Sequence, residues 1–366
     1  MRRRRLTLGV LAGLAMAAFV VGAALGDNPA PRIEVAETLP LPQLTGERIV
    51  AGLSGTDVSS SLEAAVHEGR VAGVILFAGN FPSRAAGARL IARLQAIRRP
   101  PALRDPLLIM VDQEGGLVKR VDGAPSLSAQ QMGARGGAFS LEQGRRTAAN
   151  LRDLGVNVDL APVLDVARPG GTIAATERGF GASAQQVAAT AVPFAEGLQQ
   201  GGVAATAKHF PGLGSAAENT DFAVQRIGLS RAALRRVDEA PYRAFVAAEG
   251  KLVMLSTAIY PALAPDPAAF ARPIATGELR TRLGFEGVSI TDALETVAVR
   301  AFGGPAKAGV AAARAGTDLL LFADLAAAET ARRALLAKLR ARALDRDEFE
   351  TSAQRVLDLR AELAGP

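Results

Sequence analysis

The chain has 366 residues, is 49% hydrophobic, and contains two histidines and no cysteine. The missing cysteine excludes disulfides, thiolate metal sites, a cysteine nucleophile and a lipidated-cysteine anchor. The net charge of +6 is no nucleic-acid signature, because residues 1–30 hold +3 of it and the rest is spread without the clustering that phosphate neutralisation requires.

Arg2–Arg5 precede an uncharged apolar run over residues 6–26. A basic start followed by such a run predicts an export signal. The run is also long enough to span a bilayer, so residues 1–26 are either a cleaved signal peptide or a retained membrane anchor. Basic residues stay on the cytoplasmic side, which puts the body of the chain outside, secreted or anchored on the outer face. Residues 27–45 contain four prolines and predict an extended tether.

From residue 46 to 366 one domain is expected. Eight short apolar runs follow one another at 48–55, 72–78, 106–113, 155–163, 204–210, 251–258, 287–293 and 317–323. Each is nearly continuous rather than alternating, the pattern of strands buried on both faces. Between them lie segments of helical period, clearest at 59–68, 83–97, 141–154, 184–200, 230–249 and 304–315, and residues 325–364 predict closing helices. Ser230 reads as an N-cap, and Gly155, Gly201 and Gly250 stand where helices should end. Eight such alternations predict an α/β fold, a single (β/α)8 TIM-type barrel.

Barrel chemistry gathers at the C-terminal strand ends. Asp112 and Glu114 follow the third strand, Asp165 follows the fourth, Lys208 and His209 close the fifth, and Asp292 closes the seventh. All therefore face one rim. Asp292 reads either as a cap for the next helix or as a nucleophile for a cationic transition state. Asp112, with Arg120 nearby, suits hydrogen bonding to sugar hydroxyls. Lys208 and His209 read as donors to other hydroxyls or as a buried pair satisfied by carboxylates. Arg178 reaches the same rim or pins its own loop. No histidine–carboxylate cluster has metal-ligand spacing, no Gly-x-Ser-x-Gly elbow occurs, and GLGSAAEN is a weak phosphate signal. Aromatics make up 4%, so a carbohydrate site would rest on hydrogen bonds and charge.

LLIMVDQEGGLVKRV, GVNVDLAPVLDV, ERGFG, AKHFPGLG, VMLSTAIYP and GVSITDALE stand in the order found in glycoside hydrolase family 3. Over residues 46–362 the chain resembles that family's single-domain bacterial β-N-acetylglucosaminidases (β-N-acetylhexosaminidases). The resemblance implies a retaining hydrolase of β-linked N-acetylglucosaminides from cell wall or chitin. It implies a covalent intermediate on Asp292, sugar contacts from Asp112, Arg120, Arg178, Lys208 and His209, and no metal or organic cofactor. Carbohydrate is the expected partner, with no nucleic acid, a membrane only through an uncleaved N-terminal segment, and a monomer as the working unit.

The departures from that pattern concern the acid. Family histidines on the loop after KHFPG are replaced by Leu213 and by Asp221-Phe222-Ala223, and a third is replaced around Thr257. Leu117 stands where an arginine often follows EGG, and Ala293 where an aspartate often follows the nucleophile. Either Asp221, or alternatively Glu218, supplies the proton, or the chain is a catalytically impaired sugar-binding member of the family.

Overall fold

The computed structural model describes residues 34–365. The expected signal or anchor, residues 1–26, lies outside them. Among the described residues no helix is long and apolar enough to cross a membrane.

Eight parallel strands appear where the apolar runs predict them: β1 Ile49–Gly52, β2 Gly73–Ile75, β3 Leu108–Val111, β4 Val158–Asp159, β5 Ala204–Phe210, β6 Leu252–Leu255, β7 Val288–Thr291 and β8 Leu320–Phe322. Neighbours in sequence are neighbours in the sheet, and β1 pairs with β8. The remaining gap closes through an Ile290–Leu319 bridge, where the Leu319 N–H donates to Ser289 O at 2.8 Å and the Thr291 N–H donates to Leu319 O at 3.0 Å. The sheet is therefore a closed barrel with no free edge.

Closure accounts for the continuous apolar runs. One set of side chains, including Val50, Leu108, Met110, Val158, Leu252 and Ile290, fills the barrel. The alternate set, including Ile49, Ile109, Val111, Ala205 and Val253, packs outward against the helices. Both faces are buried, so most strand positions are apolar, with Asp159, Thr206, Lys208, Ser289 and Thr291 among the buried exceptions. Several helices begin on side-chain caps: Ser59, Ser83, Ser183, Ser230, Asp324 and Asp345 each accept an N–H three residues on.

Three expectations change. The predicted tether is folded from residue 34, with helices at Val35–Thr38 and Leu41–Gly46 and with Ala36 and Leu44 fully buried. Its prolines mislead because Pro42 lies in the first turn of a helix, where its missing N–H costs nothing. The single helix expected over 230–249 is divided into Arg231–Ala233, a π-turn at Leu234–Asp238, and Ala240–Ala247. Pro241 cannot donate to the carbonyl one turn back, which interrupts the ladder there. A helix over Pro273–Arg282, between β6 and β7 in the chain, is also additional. It carries no pronounced apolar stripe, so periodicity does not reveal it.

Candidate active site

The VDQEGG turn leaves β3 as a tight reversal in which the Glu114 and Gly115 N–H groups both donate to Val118 O, at 2.9 and 3.1 Å. Gly115 and Gly116 adopt φ of +92° and +56°, and a side chain at Gly115 would meet Leu127 O at 2.2 Å. This turn sends Asp112 and Glu114 toward the same cation. Lys208 Nζ, from the end of β5, lies 2.8 Å from Asp112 Oδ1 and 2.7 Å from Glu114 Oε1. Arg178 donates two bonds to Glu114, both at 2.8 Å, and Arg120 donates to Asp112 at 3.2 Å. Burial opposes ionisation of both carboxyls. The Arg178 and Lys208 charges outweigh it at Glu114, and those of Lys208 and Arg120 at Asp112, so both sit below the usual carboxylate range. Lys208 is raised for the matching reason: burial disfavours its charge, and the two anions more than restore it.

His209 points away from this cluster, to Asp165. One Asp165 oxygen meets His209 Nδ1 at 2.8 Å, and the other accepts the His209 and Leu213 N–H groups at 3.1 and 2.6 Å. Asp165 thus fixes the imidazole and the start of the following loop together. Tyr260 OH holds the same segment by donating to Gly212 O at 3.1 Å. The loop after β5 is therefore anchored through Leu213.

Further along, the loop turns back to the barrel mouth. Asn219 accepts the Asp221 N–H at 3.1 Å, and its amide donates to Asp221 Oδ2 at 2.9 Å. Thr220 Oγ1 lies 3.5 Å from Asp292 Oδ2. Asp292 ends β7 and caps no helix, since the next one, Val297–Arg300, starts at Thr296. Asp221 is exposed as a residue, and its carboxyl is raised from its ordinary value first by partial burial against the cleft and then by the neighbouring Asp292 charge. Both side chains line one cleft of about 350 Å3 together with Asp112, Arg120, Arg178, Lys208 and His209. Glu218 is the exception among the candidates: it is exposed like Asp221 but, unlike it, does not line the cleft.

Several residues of the site carry no role in the sequence reading. Glu114 and Asp165 are visible as rim carboxylates, but their partners are 64 and 44 residues away. Glu295 lines the cleft, takes the backbone N–H groups of Ala323 and Asp324, and so ties the β7 loop to the end of β8. Burial pushes its carboxyl up to about 7. Asp159 lies fully buried in β4, accepts the Gln113 N–H at 3.0 Å, and is pushed up to about 8 by burial. An aspartate inside an apolar strand was its available signal. Among the described residues no group of three His, Asp or Glu side chains could hold a metal ion.

Residues 41–359 match the glycosyl hydrolase family 3 N-terminal domain. The chain is 38% identical over 356 residues to an uncharacterized secreted glycosyl hydrolase of Arthroderma benhamiae, spanning 94% of this chain and 99% of that one. It is 37% identical over 284 residues to a beta-hexosaminidase of Xylella fastidiosa, spanning 75% and 82% of the two chains. A family 3 β-N-acetylglucosaminidase structure from a Paenibacillus species superposes with a TM-score of 0.85 at 34% identity, over 89% of this chain and 63% of that one. The motif order, the closed barrel and these matches agree: the chain is a glycoside hydrolase and belongs to glycosyl hydrolase family 3.

Proposed function

We propose that the chain hydrolyses β-linked N-acetylglucosaminides with retention of configuration, using Asp292 as nucleophile and Asp221, rather than Glu218, as acid and base. One observation carries this reading: two carboxyls line the same cleft, and the one on the loop is raised by burial and by the charge of the other. A protonated acid beside an ionised carboxylate is the division of labour a retaining glycosidase needs. Asp292 attacks the anomeric carbon while Asp221 gives its proton to the departing oxygen. The Asp221 carboxylate then takes a proton from water, which attacks the same carbon, frees Asp292 and leaves Asp221 protonated again. Asp112, Arg120, Arg178, Lys208 and His209 hold the sugar's polar groups from the other side of the cleft. The amino-sugar preference follows from the beta-hexosaminidase and β-N-acetylglucosaminidase among its relatives.

Residues 1–26 make the chain an exported one in this proposal, and the Arthroderma relative is described as secreted. The sugar-binding, non-catalytic alternative rests only on the absent histidines, and the raised Asp221 offers the proton those histidines would have supplied. Turnover of an aryl β-N-acetylglucosaminide, followed by NMR of the first-formed product anomer, tests the reading. A β-product is expected. An α-product, or tight binding of the sugar without turnover, would sink it.

A further inference from the structure

We infer that Phe222, with Val297 beside it, forms an apolar platform for the leaving group, and that this leaving group is a second pyranose ring. The inference rests on the proposed role of Asp221. Five large apolar side chains are exposed among the described residues, and four of them, Leu117, Phe222, Val224 and Val297, stand in the segments following β3, β5 and β7, Val297 as the first residue of its helix. Single exposed apolar residues scattered over a surface need no explanation, whereas their concentration on one rim does. Phe222 keeps 76% of its surface in water and Leu117 keeps 79%.

Geometry assigns the platform its occupant. A general acid must reach the glycosidic oxygen, the atom that joins the bound sugar to whatever leaves. The leaving group therefore passes the outer side of Asp221. Phe222 is the next residue, and the Val297 N–H donates to Asp221 O at 3.3 Å, so both residues adjoin Asp221, outside the residues that line the cleft itself. Leu117, on another loop, is the chain neighbour of Val118, which lines the cleft. At about 350 Å3 the cleft is at the small end of ligand pockets and leaves the second ring on the rim. A β-linked hexosamine in its chair form presents axial C–H bonds on both ring faces. Such a face suits the electron-rich face of an aromatic ring. The inner part of the site, built from charged and polar groups, reads hydroxyls; the rim reads ring faces.

The test compares wild type with Phe222→Ser and Val297→Ser on two substrates that share the first sugar: methyl β-N-acetylglucosaminide and the β-linked disaccharide of N-acetylglucosamine. Both side chains face water, so neither change threatens the fold. Phe222→Ser should raise KM for the disaccharide about tenfold, equal to about 1.4 kcal/mol, with a smaller rise for Val297→Ser and no change on the methyl glycoside. Calorimetry gives a readout independent of turnover: the affinity advantage of the disaccharide over N-acetylglucosamine should shrink by the same factor. Equal losses on both substrates, no loss on either, or a loss confined to alkyl and aryl glycosides would overturn the platform. Absence of turnover by wild type with the calorimetric difference intact would instead overturn the catalytic reading and leave the platform standing.

Discussion

The two walls of the cleft are built on opposite electrostatic plans. On the β3–β5 side every carboxylate has a cation or N–H donors: Asp112 and Glu114 share Lys208, Arg178 forks onto Glu114, and Asp165 holds His209. Across the cleft, Asp292 and Glu295 after β7 and Asp221 on the β5 loop have no salt-bridge partner among the described residues and are supported by Thr220, Asn219 and backbone N–H groups. On the first, compensated wall the cations hold the Asp112 and Glu114 carboxyls below the usual carboxylate range. The other, uncompensated wall holds Asp221 and Glu295, whose carboxyls are both raised by burial. In the proposed mechanism, binding and proton transfer are separated by pairing, with the same residue types used for both.

The largest test acts on the uncompensated wall. Asp292→Asn should abolish covalent catalysis, with kcat falling by at least about 10³-fold, as nucleophile removal does in other enzymes that form covalent intermediates. Affinity for the sugar should be kept, because the opposite wall is untouched. Wild-type turnover in this variant would break the division between the walls.

Asp221→Asn should cost about 10²–10⁴-fold on a disaccharide and much less on an aryl glycoside whose leaving group needs no proton. The sign of the pH effect follows from the direction of its shift. Asp221 must be protonated to act, so activity falls as pH rises through its elevated value, and the variant should lose that alkaline limb. A limb that survives in the variant would move the acid elsewhere, with Glu295, up at about 7, next in line.

On the compensated wall the expected loss is stability. Glu114→Gln removes the anion that Arg178 and Lys208 share, leaving two buried cations short of a partner. Breaking such a pair typically costs about 3–5 kcal/mol, which urea unfolding would register. An unchanged midpoint would mean that Asp112 alone compensates both cations.

How far the sequence carries this comparison depends on the range of the interactions. The barrel is legible because strands buried on both faces must be apolar throughout, and VILFA or LLIM says so locally. The ends of those strands then put Asp112, Lys208, His209 and Asp292 on one rim without further information. The proposed preference for Asp221 over Glu218 needs the path of the loop, since three residues separate a side chain that lines the cleft from one that does not. The Glu114–Arg178 fork and the Asp165–His209 bond join distant segments, and nothing local encodes them. Residues 34–46 misled for a simpler reason: proline content reports what a backbone cannot do and is silent on what buries Leu44.

Asp159 joins the two plans and gives the smallest but cleanest test. It stands behind the compensated wall, with Lys208, Asp112 and Glu114 near enough to feel its charge, yet its Oδ2 is buried without a partner. Burial, the largest influence, pushes it up to about 8, while the Gln113 N–H and Lys208 pull the other way. An unfolded aspartate titrates near about 3.9, so between that pH and about 8 the folded chain keeps a proton the unfolded chain has lost. Stability should therefore fall as pH rises through this window, by at most about 1.4 kcal/mol per pH unit from this group, and level off above it. Asp159→Asn keeps an oxygen for the Gln113 N–H and removes the titration. The variant's urea midpoint should stay flatter between pH 5 and 8 and exceed that of wild type at the upper end, with the two converging in acid. Parallel curves would mean that Asp159 is ionised in the fold, and the compensated wall would then include one more anion than its cations account for.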